Sequence, residues 1–141
     1  MDNEYENFAK NMEEKFPLMF ANKYGGFAVG AGWYSIIESL CSNIQQHIDW
    51  KEKQNNPIPQ VVVEQIKEKF GGLRFYYQGG DEQIHGMVRM AEAWAGRSCE
   101  ECGAPGERRG GGWIRTLCNM HEDQRQENLR IREMKISGFE E

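Results

Sequence analysis

The chain has 141 residues, 39% of them hydrophobic and 28% charged, which is enough for one domain with its own core and a small appended module. A formal charge of -5 excludes a protein that coats nucleic acid or an anionic membrane by bulk electrostatics, because those partners reward net positive charge. Any basic site is local, and residues 69–141, with eleven Lys/Arg against twelve Asp/Glu, suit an anion better than residues 1–68, with six against ten.

In chain order, the opening MDNEYENFAKNMEEKF is acidic and has no apolar signal-peptide core. No run approaches the ~18 apolar residues that span a bilayer, so the expectation is a cytoplasmic protein with no membrane partner. Residues 2–20 mix acids with Phe8, Met12, Phe16, Leu18 and Phe20, which predicts an amphipathic helix that Pro17 ends or bends. Gly25, Gly26, Gly30 and Gly32 mark an irregular loop. It leads into Trp33, Ile36, Ile37, Leu40, Cys41, Ile44 and Ile48, whose three- and four-residue spacing is the clearest helical pattern in the chain. The polar segment Lys51 to Pro59 reads as a loop. Val61 to Phe70 and Leu73 to Tyr77 read as strands joined by a two-residue Gly71-Gly72 turn. From Glu82 to Arg97, apolar residues at helical spacing predict a second core helix, and the charged stretch Glu122 to Glu141 predicts a last one.

Two residues separate Cys99 from Cys102 and two separate Cys118 from His121, with fifteen residues between the pairs. At this spacing four ligands close a tetrahedral site, and the pattern suits a reducing compartment better than two disulfides do. Cys102-Gly103 predicts the tight turn of a knuckle. Glu107 to Arg109 and Trp113 to Leu117, flanking Gly110-Gly111-Gly112, predict a hairpin, and Cys118 and His121 open a helix. Knuckle, hairpin and helix together describe a treble-clef zinc finger holding one structural Zn2+. With four protein ligands no position is left for an activated water, which disfavours a catalytic zinc.

A Gly71-Gly72 turn would set Lys69 opposite Arg74, Lys67 opposite Tyr76 and Phe70 opposite Leu73. One face then carries Ile66, Phe70, Leu73, Phe75 and Tyr77, and the other Lys67, Lys69, Arg74 and Tyr76. Cations opposed across a ladder repel by roughly 0.2 to 1 kcal/mol, so this face either borrows a carboxylate or receives an anion. Tyr76 beside the cations can stack on a base or ring. The alternative is a solvated face neutralised by the acidic first helix. Arg108, Arg109 and Arg115 in the finger can extend the surface or stand as ordinary exposed arginines.

Cys41 lies on an apolar stripe with no neighbouring base and reads as a buried thiol. His47 and His85 are isolated, and Trp33, Trp94 and Trp113 read as core or finger packing. An HNH-type nuclease needs a catalytic histidine and a metal-binding pair beyond the structural ligands, and no His-rich hairpin supplies them.

Through GWYSIIESL, QIKEKFGGLRFYY and CEECGAPGERRGGGWIRTLCNMH, over roughly residues 29–125, the chain resembles a family of small bacterial and phage proteins with a Lys-x-Lys-Phe-Gly-Gly-Leu-Arg hairpin and a Cys3His finger. Members often carry an acidic residue between the glycines before the tryptophan, where this chain has Ala31. The resemblance implies a counter-defence or host-modulating binding protein.

The expected architecture is α+β: residues 1–97 form helices packed on a β-hairpin, and residues 98–141 form the zinc finger with its C-terminal helix. The expected function is non-enzymatic binding of an anionic ligand, a nucleic acid or a host defence protein. A nucleic-acid-binding regulator, a nucleotide-signal sponge and a pure protein inhibitor are the rivals.

Overall fold

The computed structural model describes residues 3–138 and is mixed α+β, with four α-helices and two small sheets among the described residues. Helix α1, Asn3–Lys15, stops just before Pro17, because the residue preceding a proline is sterically driven out of helical geometry. It points Phe8 and Met12 inward. Phe8 stacks on Tyr34 with centroids 4.0 Å apart and meets Phe27 edge-on at 4.9 Å, while Met12 is fully buried. Residues 139–141, the end of the expected last helix, lie outside the described residues.

The segment expected as plain loop contains a strand. Phe27–Ala28, β1, runs parallel to β2, Val62–Lys69, pairing Phe27 with Ile66 and Ala28 with Lys67. Two residues are too few for alternation to reveal a strand. A 3-10 turn, Ala31–Trp33, then hands the chain to α2, Tyr34–Lys53, which buries Ile37, Leu40, Cys41, Ile44 and Ile48. This helix runs into the segment read as loop. It closes at Gln54, where Asn55 takes a left-handed φ of 59° and the Asn55 and Asn56 N–H groups donate to Glu52 O and Lys51 O at 3.0 Å, a Schellman stop with Asn in place of Gly.

Strand β2 pairs antiparallel with β3, Gly72–Gln78, giving the order β1-β2-β3. The turn residues are Phe70 and Gly71, at φ 54° and 79°, rather than Gly71 and Gly72. Lys69 therefore faces Gly72, Lys67 faces Arg74 and Gln65 faces Tyr76, which corrects the expected pairs. Phe70 leaves the apolar face for the turn and is 62% exposed. Tertiary bonds impose this register. Buried Ile66 meets buried Phe75, the Glu68 carboxylate accepts the Gly71 N–H at 2.7 Å, and Thr116 Oγ1 donates to Gly71 O at 2.6 Å. Because the slip is even, Lys67, Lys69, Arg74 and Tyr76 still share one face.

Helix α3, Glu82–Ala95, packs against α2 and β3. Asp81 caps it by accepting the Ile84 N–H at 3.0 Å and a bond from His47 Nε2 at 2.9 Å. The main core ends at Ala95, and a second small cluster of Cys99, Leu117 and Cys118 follows. That second unit carries a hairpin of β4, Glu107–Arg109, and β5, Arg115–Leu117, and then α4, Asn119–Ile136, which buries none of its residues. Among the described residues no helix is long and apolar enough to cross a membrane.

The two units meet at the glycines before α2. Trp33 Nε1 donates to Ser98 O at 2.9 Å, the Gly32 N–H to Glu100 O at 2.8 Å, and the Gly30 N–H to the Glu100 carboxylate at 2.9 Å.

Candidate metal centre and the adjoining basic face

Cys99 and Cys102 sit on a turn tied by the Gly103 N–H to Cys99 O at 2.8 Å and the Cys99 N–H to Ala104 O at 2.7 Å. Gly103, at φ 83°, makes that turn possible. Cys118 is the N-cap of α4 and His121 lies on its first turn, so the helix start brings the second pair together. The four ligand atoms all lie within 4.8 Å of one another. Cys99 Sγ is 3.5 Å and Cys118 Sγ 3.3 Å from His121 Nδ1, and Cys102 Sγ is 3.8 Å from Cys118 Sγ. A disulfide would bring two sulfurs to about 2.05 Å. The group is instead able to hold a metal ion such as zinc, since soft thiolates and an imidazole converge on one point. The His121 backbone N–H, bonded to Cys118 Sγ at 3.4 Å, holds the Cys118 thiol below its ordinary range and so favours the thiolate.

Glu100, between the first two ligands, is buried. Desolvation pushes its carboxyl above the usual range, against the Gly30 N–H and the Arg115 guanidinium, which favour the charged form. Arg115 bridges Glu100 at 3.4 Å and Glu101 at 3.3 Å. Arg109 donates to Leu117 O at 3.2 Å and Asn119 Oδ1 at 2.8 Å, and its guanidinium lies 3.6 Å from Glu107. Both arginines are occupied in holding the second unit together, whereas they were expected on an open surface.

The remaining cations behave differently. The guanidinium nitrogens of Arg74 and Arg108 lie 3.1 and 3.8 Å from the point where a Cβ on Gly72 would stand, so the two hairpins bring their arginines side by side. Lys67 stands opposite Arg74, and Lys69 opposite Gly72. Among the described residues no carboxylate forms an ion pair with Lys67, Lys69, Arg74 or Arg108. Among the described residues no carboxylate of the acidic first helix pairs with this face; Lys15 pairs with Glu38, and Glu13 accepts from Tyr24. Lys67 Nζ lies 5.9 Å from the centroid of the Tyr76 ring, and Lys69 Nζ 5.8 Å from that of Phe70.

Other expectations change with the tertiary structure. Trp33 is buried, whereas Trp94 and Trp113 are 60% and 75% exposed and are not packing residues. His47 is paired with Asp81, and His85 Nδ1 with the Tyr77 hydroxyl, so neither is isolated. Cys41 is buried, and desolvation pushes its thiol well up, leaving no thiolate for chemistry. Phe70 and Trp113 were missed as surface residues. Each adjoins consecutive glycines, which is the signal that could have found them: an aromatic side chain in a Gly-rich turn has little room to be covered.

Compared with known proteins, the chain matches no family model, no curated protein and no solved structure.

Proposed function

We propose that this chain is a non-enzymatic, zinc-stabilised binding protein in which a treble-clef finger locks two hairpins together and their shared basic face receives an anionic partner. The knuckle, the β4–β5 hairpin and the helix start that carry the ligands support the treble-clef reading. Zinc is supported by distance. Zn–S bonds of about 2.3 Å and a Zn–N bond of about 2.0–2.1 Å in a tetrahedron imply S···S near 3.8 Å and S···N near 3.5 Å, close to the Cys102–Cys118, Cys99–His121 and Cys118–His121 separations of 3.8, 3.5 and 3.3 Å, within a group spanning 4.8 Å. Cys99, Cys102, Cys118 and His121 would hold the ion, whose contribution is to fix the fold. Four protein ligands leave no site for a metal-bound water, which supports a structural ion and a binding role.

The observation that carries the anion reading is the convergence of Lys67, Lys69, Arg74 and Arg108 from two hairpins with no carboxylate partner among the described residues. Like charges held together with no carboxylate paired to them cost free energy that a bound anion recovers. The resemblance to phage proteins supports a counter-defence setting, checked by plaque formation on defence-bearing hosts with and without the expressed chain.

The test of the binding role is a thermal-shift screen of the zinc-loaded chain against linear and cyclic nucleotides, short single-stranded DNA and RNA, and inorganic polyphosphate. At least one probe should raise Tm as its concentration exceeds Kd, and the variant carrying Lys67→Glu and Arg74→Glu should lose that response. A screen in which no anionic probe raises Tm overturns the reading.

A further inference from the structure

We infer that the tip where the β2–β3 turn meets the β4–β5 loop is a stacking site for the bases of single-stranded nucleic acid, with the adjoining four cations following its phosphates. The inference rests on the anion-binding reading and names its occupant.

Two exposed rings flank one cleft. Phe70 and Trp113 line an opening of about 500 Å³ together with Glu68, Lys69, Gly112 and Ile114. Neither ring sits on slack chain. Phe70 is held at a left-handed φ of 54°, where a bulky side chain is an outlier, and such outliers concentrate at binding sites. The Glu68 carboxylate and Thr116 hydroxyl secure the next residue, Gly71, through its N–H and its carbonyl. On the other side Arg125, reaching from α4, donates to Trp113 O at 3.1 Å and Gly110 O at 2.6 Å, clamping the loop that presents the indole. Rings carried on backbone already fixed lose little entropy when they bind, so their exposure is preorganisation for a flat ligand.

The company these rings keep selects the ligand. Protein interfaces also use exposed aromatics and Arg, but lysine is depleted from them. Here Lys69 lines the cleft, Lys67 stands beside Tyr76, a third ring carried on the basic face, and Arg74 and Arg108 continue the charge. Interleaved rings and cations are the arrangement that tracks unpaired strands, since every base offers a π-face and every nucleotide a phosphate. A duplex keeps its bases stacked on each other and offers none to a cleft between side chains. Glu68 keeps its charge, but its carboxylate is turned onto the Gly71 N–H and the four cations outnumber it.

The experiment uses the zinc-loaded full chain and two labelled strands about twelve nucleotides long, one oligothymidylate and one with the same phosphates but abasic throughout, read by fluorescence anisotropy. The base-bearing strand should bind at least roughly 25-fold more tightly, since two rings each contribute about 1–3 kcal/mol. Phe70→Ala and Trp113→Ala should each weaken it by roughly 5- to 150-fold and leave abasic binding unchanged, while Lys69→Gln weakens both strands alike. Trp113→Phe, which keeps a ring, should retain most of the affinity, and Trp113→Leu should not. Zinc stoichiometry and Tm of each variant establish that it is folded. Equal binding of the two strands, or ring variants without effect, overturns the stacking site and leaves the anion reading standing. If neither strand binds while polyphosphate still raises Tm, the stacking site again fails alone. If no anionic probe binds, both readings fall.

Discussion

Gly32 is where the main core and the knuckle touch most closely. A Cβ there would stand 2.2 Å from Cys99 O and 2.6 and 2.7 Å from the Gly103 and Cys102 amide nitrogens, all of them backbone atoms that cannot step aside. Gly32→Ala should therefore cost about 1–3 kcal/mol or more, in the range of overpacked sites, and should loosen the metal group as well as the core. Thermal denaturation with zinc release followed in parallel checks this, and unchanged Tm and release would show the contact to be unimportant. Asp81 offers a second test at this scale. Partial desolvation raises its pKa, but the hydrogen bonds from His47 and the Ile84 N–H outweigh this and hold its carboxyl below the ordinary value of 3.8. Because the folded-state value is depressed, the stabilisation is fully present above the unfolded value and is lost as pH falls through the folded one. Asp81→Asn should thus lower stability at neutral pH, and the gap between wild type and variant should narrow below about pH 4. Urea unfolding of both proteins across that pH range reads the effect.

At the scale of the element, the β2–β3 turn combines a conformational cost with an exposed ring. Two-residue hairpin turns with left-handed φ at both positions prefer Asn-Gly, and an L-residue such as Phe there carries roughly 1–2 kcal/mol of strain. Phe70→Asn should accordingly raise Tm, by an amount corresponding to about 0.5–1 kcal/mol, while weakening binding at the tip. A substitution that stabilises the fold and loses ligand separates the two roles of this residue; a fall in Tm would show that Phe70 is positioned for packing. The turn also shows why register was not legible. Gly71-Gly72 is the natural centre of a hairpin by local propensity, and only the bonds from Glu68 and Thr116 to Gly71 and the meeting of Ile66 with Phe75 move the turn back by one residue. The longer elements were legible in advance because α2 and α3 carry their apolar residues at regular helical spacing. The two-residue strand β1 has no such pattern and exists because β2 presents an edge to it.

For the molecule as a whole, the junction couples the metal group to everything else. Structural zinc in small fingers contributes about 10 to 16 kcal/mol of apparent binding free energy, far more than the apolar cluster of Cys99, Leu117 and Cys118 can supply in its place. Chelation should unfold at least residues 98–121. Because Trp33, Gly32 and Gly71 bond directly into that unit, the Tm of the remaining core should fall with it. Far-UV circular dichroism and melting curves with and without a chelator, and after zinc is restored, check both expectations; a chelated protein with an unchanged melt would assign the four ligands no structural role. The basic face belongs to this scale too, because Arg74 and Arg108 come from different units. If all four cations contact phosphates, affinity for a single strand should fall with salt at a log-log slope of about -3, and Arg108→Gln should reduce that slope by about 0.7.

By itself the sequence determined what local chemistry encodes: four residues able to hold a metal, grouped in two close pairs, two core helices written in apolar spacing, and a strand pair rich in lysine and aromatic residues. Such features depend on neighbours a few residues away, so they survive without knowledge of the fold. Only the tertiary structure decided which cations are ion-paired among the described residues, since Arg115 and Arg109 are bound within the second unit while Arg74 and Arg108 converge across the junction. It also decided that Phe70 and Trp113 share a cleft. Each ring is held by groups distant in the chain, Thr116 across the junction for the turn and Arg125 within the second unit for the loop, and the free energy of such contacts exists only once the chain has folded back on itself.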